Sequence, residues 1–210
     1  SPQDILKKYK SAKKLGLAPG SMVFTGEKQV TNVTIQVTDY SNTFLQRQQV
    51  ARVQDIPERQ ERNNRWIEIH GLHDIDVLNE LGNLYSIHPL ILEDVLNVDQ
   101  RAKVEDFDDY LFVAAKFVRF DEESKTLAQE QLNLILFPNA ILSFQESDVP
   151  FLNVIHERMQ NEKSRLRKYG IDYLLYAILD LLIDFYFLTI EQLEGRFETL
   201  ENDVMSRPQN

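Results

Sequence analysis

The spacing of apolar residues changes character along this 210-residue chain, from period two to period three or four. In "VTIQVTDY", Val33, Ile35 and Val37 take alternate positions, the signature of a half-buried strand, and "FLQRQQV" and "RWIEIHG" read as its partners. Two short helices follow. In "DIDVLNELGNLYS", Asp74 stands as the N-cap and Ile75, Leu78 and Leu81 recur at helical spacing. "PLILEDVLN" opens on Pro89, whose fixed φ suits a first helical position, and its Leu90, Ile91, Leu92, Val95 and Leu96 predict burial. "DYLFVAAKFVRF" predicts a buried strand, and "QLNLILF" and "AILSFQE" predict a hairpin around Pro138 and Asn139. A further helix is expected at the start, in "SPQDILKKYKSAKKLG". Residues 1–147 thus predict a mixed sheet with interleaved helices, an α/β arrangement whose strand order the pattern leaves open.

From residue 148 onward the pattern is helical only, so a second unit, 148–210, is expected. Residues 150–169 predict one helix, tilted basic by Arg158, Lys163, Arg165, Arg167 and Lys168, and Gly170 ends it. A long uninterrupted helix then carries Tyr176, Leu179, Ile183, Tyr186, Ile190, Leu193, Phe197, Leu200 and Val204 at alternating steps of three and four, a coiled-coil-like seam. A second stripe, Leu175, Ile178, Leu182 and Phe185, widens the apolar face of the first half, where docking on two sides is expected. Past Ile190 only the seam continues, between Glu191, Glu194, Glu198 and Glu201. From Asp172 to Val204 the helix spans about 50 Å at 1.5 Å per residue. A compact chain of this size has a radius of gyration of only about 17 Å, so the helix is expected to lead beyond Asn210.

Composition narrows the chemistry. The chain has no cysteine, which removes disulfides and thiolate metal sites and fits a reducing compartment. Its net charge of -10 argues against nucleic acid and favours cations or basic surfaces as partners. The longest uncharged run, 131–145, is too short for a membrane span. No nucleophile elbow, HExxH or glycine-rich phosphate loop occurs, and the chain has seven glycines in all. The expectation is therefore no enzyme and no small-molecule substrate.

The acids are unevenly placed. Glu93 and Asp94 stand side by side in an apolar helix, and "VEDFDDY" gathers Glu105, Asp106, Asp108 and Asp109. Asp172, Asp180 and Asp184 share one flank of the long helix at multiples of four, where like charges repel. Solvation or pairing with the basic helix, hydrogen bonds to backbone, and a divalent cation are the three ways to compensate them. A cation here would be hard, Mg2+ or Ca2+, because oxygen donors abound while His70, His73, His88 and His156 lack zinc-ligand spacing. Mg2+ would keep most of its waters and use one or two carboxylates.

The succession "SIHPLILEDVLNVDQRAKVEDFDDYLFV", "EQLNLILFPNAILSFQE", "DYLLYAILDLLIDFYF" and "LENDV" resembles the cytosolic domain of the CorA family of magnesium channels, from about Trp66 to Pro208. The resemblance implies an α/β/α sandwich followed by a helical hairpin and the beginning of a stalk helix leading to membrane helices. It also implies an inner-membrane protein, with this part on the cytoplasmic side. Members form a homo-pentamer whose pore is held closed by Mg2+ bound between neighbouring cytosolic domains, with Co2+ or Ca2+ able to substitute. Carried over to this chain, Glu93 and Asp94 become metal ligands, Asp180 faces a neighbour's acid pair, and Asp172 and Asp184 are secondary candidates. The family's Gly-Met-Asn signature and membrane helices do not occur in these residues, so a monomer or weak oligomer is expected of this chain alone. Two alternatives accompany this reading: the cytosolic domain of a related ZntB-like zinc transporter, and a soluble coiled-coil adaptor with no metal function.

Overall fold

A computed structural model describes residues 18–26, 28, 30–121, 126–147 and 149–206. The helix expected in the lysine-rich N-terminus lies outside the described residues. Seven strands form one sheet: β1 (Thr34–Tyr40), β2 (Leu45–Val50), β3 (Asn64–His70), β4 (Lys103–Asp106), β5 (Leu111–Asp121), β6 (Thr126–Leu136) and β7 (Ala140–Gln145). Their spatial order is β2-β1-β3-β7-β6-β5-β4, with every neighbouring pair antiparallel except β3 and β7.

Alternation along the strands makes two cores. Ile35, Val37, Ile67, Ile69, Phe112, Ala114, Ile135, Leu142 and Phe144 face one layer of helices, α1 (Ile75–Tyr85) and α2 (Pro89–Leu96). Tyr40, Trp66, Val113, Phe117, Leu132, Leu134 and Ile141 face the other layer, formed by α3 (Pro150–Gln160), α4 (Arg165–Lys168) and α5 (Ile171–Ser206). The result is the α/β/α sandwich, a mixed sheet covered on both sides. Asp74 caps α1 as expected, its Oδ1 accepting from the N–H groups of Asp76 and Val77.

Two expectations about the C-terminal helices are corrected. The single helix over 150–169 is two, because the backbone finds other hydrogen bonds between them. Asn161 Oδ1 accepts from the Lys163 N–H, the Asn161 carbonyl accepts from the Ser164 N–H, and Ser164 Oγ caps α4. The first half of α5 docks by one stripe rather than two. Leu174, Leu175, Ile178, Leu181 and Leu182 are buried against the sheet and Phe185 is half-buried, whereas Tyr176 and Ile183 of the seam are exposed. Each seam residue follows a residue of the buried stripe and is rotated from it by about 100°, so a single sheet face reaches only its margin. Leu179 and Tyr186, at that margin, are half-buried.

By length and composition α5 would also suffice to cross a membrane. Burial of its apolar stripe on the sheet accounts for part of that hydropathy, while Ile183, Phe187, Leu188 and Ile190 remain exposed. The last anchors are the Tyr186 hydroxyl on the Lys116 carbonyl, Thr189 Oγ1 on the Val118 carbonyl at 2.9 Å, and the Arg196 guanidinium 4.1 Å from the Phe120 ring centroid. Beyond these, Phe197, Leu200 and Val204 stand in solvent.

Candidate functional site

The eight residues of α2 are too few to be stable by propensity, and the helix is held at both ends by side chains from elsewhere. At its start, His88 caps it, Nδ1 accepting from the Leu90 N–H at 3.2 Å, while the His88 N–H donates to the Tyr110 hydroxyl oxygen at 3.1 Å. At its end, the Asp94 carbonyl accepts from the Asn97 N–H at 3.1 Å, and distant donors reach the last three carbonyls. Gln131 Nε2 lies 3.5 Å from the Asp94 oxygen and Asn133 Nδ2 lies 3.4 Å from that of Val95. The Leu96 oxygen accepts from both the N–H and the hydroxyl of Thr25, at 3.1 and 3.3 Å. Ile91, Leu92, Val95 and Leu96 are buried beneath. Leu90, expected to join them, is 45% exposed, because it lies outside the arc that faces the sheet.

This anchoring leaves Glu93 and Asp94 half-buried on the outer side of α2, where they line a depression of about 450 Å3. Its other walls are His88, Leu90, Ile91, Lys103, Glu105 and Phe107. Glu93 Oε2 accepts the N–H of Gly20 at 2.6 Å. Gly20 has φ +83, a left-handed conformation that glycine adopts without strain, and the turn lets its backbone reach the helix. Asp94 Oδ2 accepts from Lys103 Nζ at 2.7 Å, and the same ammonium donates to Glu105 Oε1 at 2.9 Å. Burial alone would lower the Lys103 pKa, but the hydrogen bonds it donates to Asp94 and Glu105 outweigh it, so its pKa is raised. The Lys103 ammonium also lies 5.6 Å from the centroid of Phe112. Asp94 and Glu105 thus share one ammonium, and Glu93 lines the same depression.

The remaining acids divide. Of the "VEDFDDY" group only Glu105 turns inward; Asp106, Asp108 and Asp109 are exposed. Asp172, Asp180 and Asp184 lie along the exposed side of α5, and Asp180 Oδ1 accepts from the Tyr176 hydroxyl at 3.5 Å. Within one copy, therefore, the structure joins Glu93 to Asp94 but not to Asp180. Among the described residues no three Asp, Glu, His or Cys side chains converge as a closed metal cage. The donor set at α2 fits a hard cation that keeps its waters and uses one or two carboxylates, as Mg2+ does. The imidazole that lines the depression, His88, has its Nδ1 engaged in capping α2. His156 is structural, stacked on Trp66 at 4.5 Å with Nε2 2.8 Å from Glu68 Oε2.

Lys103 is the site residue that reading the sequence missed, and Glu105 was visible there only as one of the acids of "VEDFDDY". They come from β4, a four-residue edge strand, and their spacing of two, which puts both on one face, was the available signal.

Comparison with known proteins agrees with the fold. The chain is 39% identical over 200 residues to the cobalt/magnesium transport protein CorA of Thermotoga maritima, an overlap of 95% of this chain and 56% of that protein. It superimposes on the complete CorA magnesium transporter of Methanocaldococcus jannaschii with a TM-score of 0.66 at 18% identity, covering 86% of this chain and 53% of the other. For the soluble domain of that transporter the TM-score is 0.64 at 20% identity, with coverages of 81% and 64%. At such identities the likeness is one of fold. The chain spans about half the length of the curated relatives it matches. The family model described as CorA-like Mg2+ transporter protein matches residues 61–210, and the chain belongs to that family.

Proposed function

We propose that this chain is the cation-sensing, cytoplasmic part of a membrane transporter for Mg2+ that also accepts Co2+. Glu93 and Asp94 of α2 hold the sensed ion, and Asp180 of a neighbouring copy approaches it across the boundary between copies. Asp172 and Asp184 add to the negative field on that flank. The observation that carries this reading is the depression beside α2, where a helix fixed at both ends presents two acids beside Lys103 and Glu105.

When the ion is scarce, carboxylates of adjoining copies repel and loosen the ring, which we take to be pentameric. When it is abundant, they are bridged. Opposite unit charges 4 Å apart attract by about 1 kcal/mol in water and about 4 kcal/mol near a protein surface. Several such sites in one ring supply the roughly 5.5 kcal/mol needed to move a two-state gate from 1:99 to 99:1. The α5 helix, anchored on the sheet as far as Thr189 and free beyond Arg196, extends away from the sandwich and suits a role as the lever that carries this change.

Thermal unfolding in rising MgCl2 at constant ionic strength tests the assignment. Wild type should gain stability, by about 2.7 kcal/mol at a hundredfold excess over the dissociation constant. The Glu93→Gln/Asp94→Asn variant should gain little. Equal stabilisation of both proteins would remove the sensor from α2.

A further inference from the structure

Resting on that reading, we infer that Lys103 is a built-in competitor for the cation site, an internal ammonium that occupies Asp94 when no divalent ion is bound and so sets how much ion is needed. Its Nζ sits between Asp94 Oδ2 at 2.7 Å and Glu105 Oε1 at 2.9 Å, on the wall of the depression beside Glu93. A dication drawn to Asp94 meets this charge first. Both cations cannot share one carboxylate oxygen at contact distance without strong repulsion, so ion binding and the Lys103–Asp94 pair exclude each other.

The neighbourhood allows the exchange. Lys103 lies on β4, which among the described residues pairs only with β5 at the end of the sheet, and its side chain is a quarter exposed. Its ammonium reaches water by rotating about its own flexible stem, with no change in the ladder. Glu93 is engaged differently, through the backbone of Gly20, so departure of Lys103 leaves that contact in place. Once the ammonium has left, Asp94 and Glu105 carry a formal charge of two to meet the two of the entering ion. Lys103 therefore serves two ends: it keeps the acid group from repelling itself when empty, and it holds the affinity down to the range of an abundant ion.

The test measures thermal unfolding against MgCl2, at ionic strength fixed with choline chloride, for wild type, Lys103→Met, Lys103→Arg and Lys103→Met/Asp94→Asn. Without MgCl2, Lys103→Met should melt below wild type, because Asp94 and Glu105 lose their counterion. Its stabilisation midpoint should fall to an MgCl2 concentration roughly two- to fivefold lower, the factor by which a partly solvated ion pair can compete with the entering ion. Lys103→Arg should restore the wild-type midpoint, and Asp94→Asn should cancel the gain of Lys103→Met. A Lys103→Met protein that melts lower by the same amount at every MgCl2 concentration, while wild type still responds, would make Lys103 a strut and overturn the inference with the sensor intact. Insensitivity of both wild type and Lys103→Met to MgCl2 would overturn the sensor and this inference together.

Discussion

The helices α2 and α5 both mix acids with a run of apolar residues, yet the protein treats them in opposite ways. In α2 the apolar side is buried, each terminus is tied by side chains or backbone from distant segments, and both acids are engaged, Glu93 by Gly20 and Asp94 by Lys103. In the distal half of α5 the apolar seam is exposed, with Phe197 at 65% and Val204 at 74%, and its flanking glutamates face solvent. The difference teaches that acids beside apolar residues acquire chemical meaning only from what their helix is packed against. Repulsion in α2 is confined to a fixed place where a cation can relieve it, whereas along α5 water already does so.

The contrast can be broken or sharpened by substitution, and the largest effect belongs to the packing. Leu92→Ala removes a buried side chain that fixes α2 and should cost about 2–5 kcal/mol in urea unfolding, whereas Leu200→Ala on exposed α5 should stay within about 0.5 kcal/mol. Similar losses from both would mean that the distal helix is covered in solution. Next comes the backbone tie. Glu93→Ala should destabilise by about 1.5–3 kcal/mol in metal-free buffer, as expected for losing a hydrogen bond to a charged group, while Asp180→Ala should shift stability by no more than about 0.5 kcal/mol. The smallest effect is that of Lys103→Met without a divalent ion, about 0.5–1 kcal/mol, because its pairs are partly solvated. A loss several times larger would place the ammonium in a far drier site than its exposure indicates.

What was legible in the sequence was what nearby residues decide. The strand of Ile35 and Val37, the Asp74 cap, the Pro89 start, the hairpin around Pro138 and the length of α5 each rest on spacing within one element. What depended on a second element was less visible. Which stripe of α5 docks is decided by the sheet, and the two stripes differ by one residue of rotation. The break at Asn161–Ser164 hides within a sequence of acceptable helix formers, because it is made by side chains bonding to backbone. β4 was read only as acid-rich: its four residues expose an apolar Val104 and turn Lys103 and Glu105 inward, the reverse of the usual pattern. That reversal concealed half of the cation site. The acid pair of α2 was legible, but its partners, Gly20 and Lys103, are brought to it by the fold.

The central claim, that α2 carries the cation site, is tested most directly by titrating Mn2+ in place of Mg2+ into the isotopically labelled chain and following paramagnetic broadening residue by residue. The account predicts that amides around Glu93, Asp94, Lys103 and Glu105 broaden first and recover when excess MgCl2 is added. Those near Asp180 should follow only as protein concentration brings copies together. Broadening that begins along Asp172–Asp184, or that leaves α2 and β4 sharp while the rest of the surface fades evenly, would contradict it.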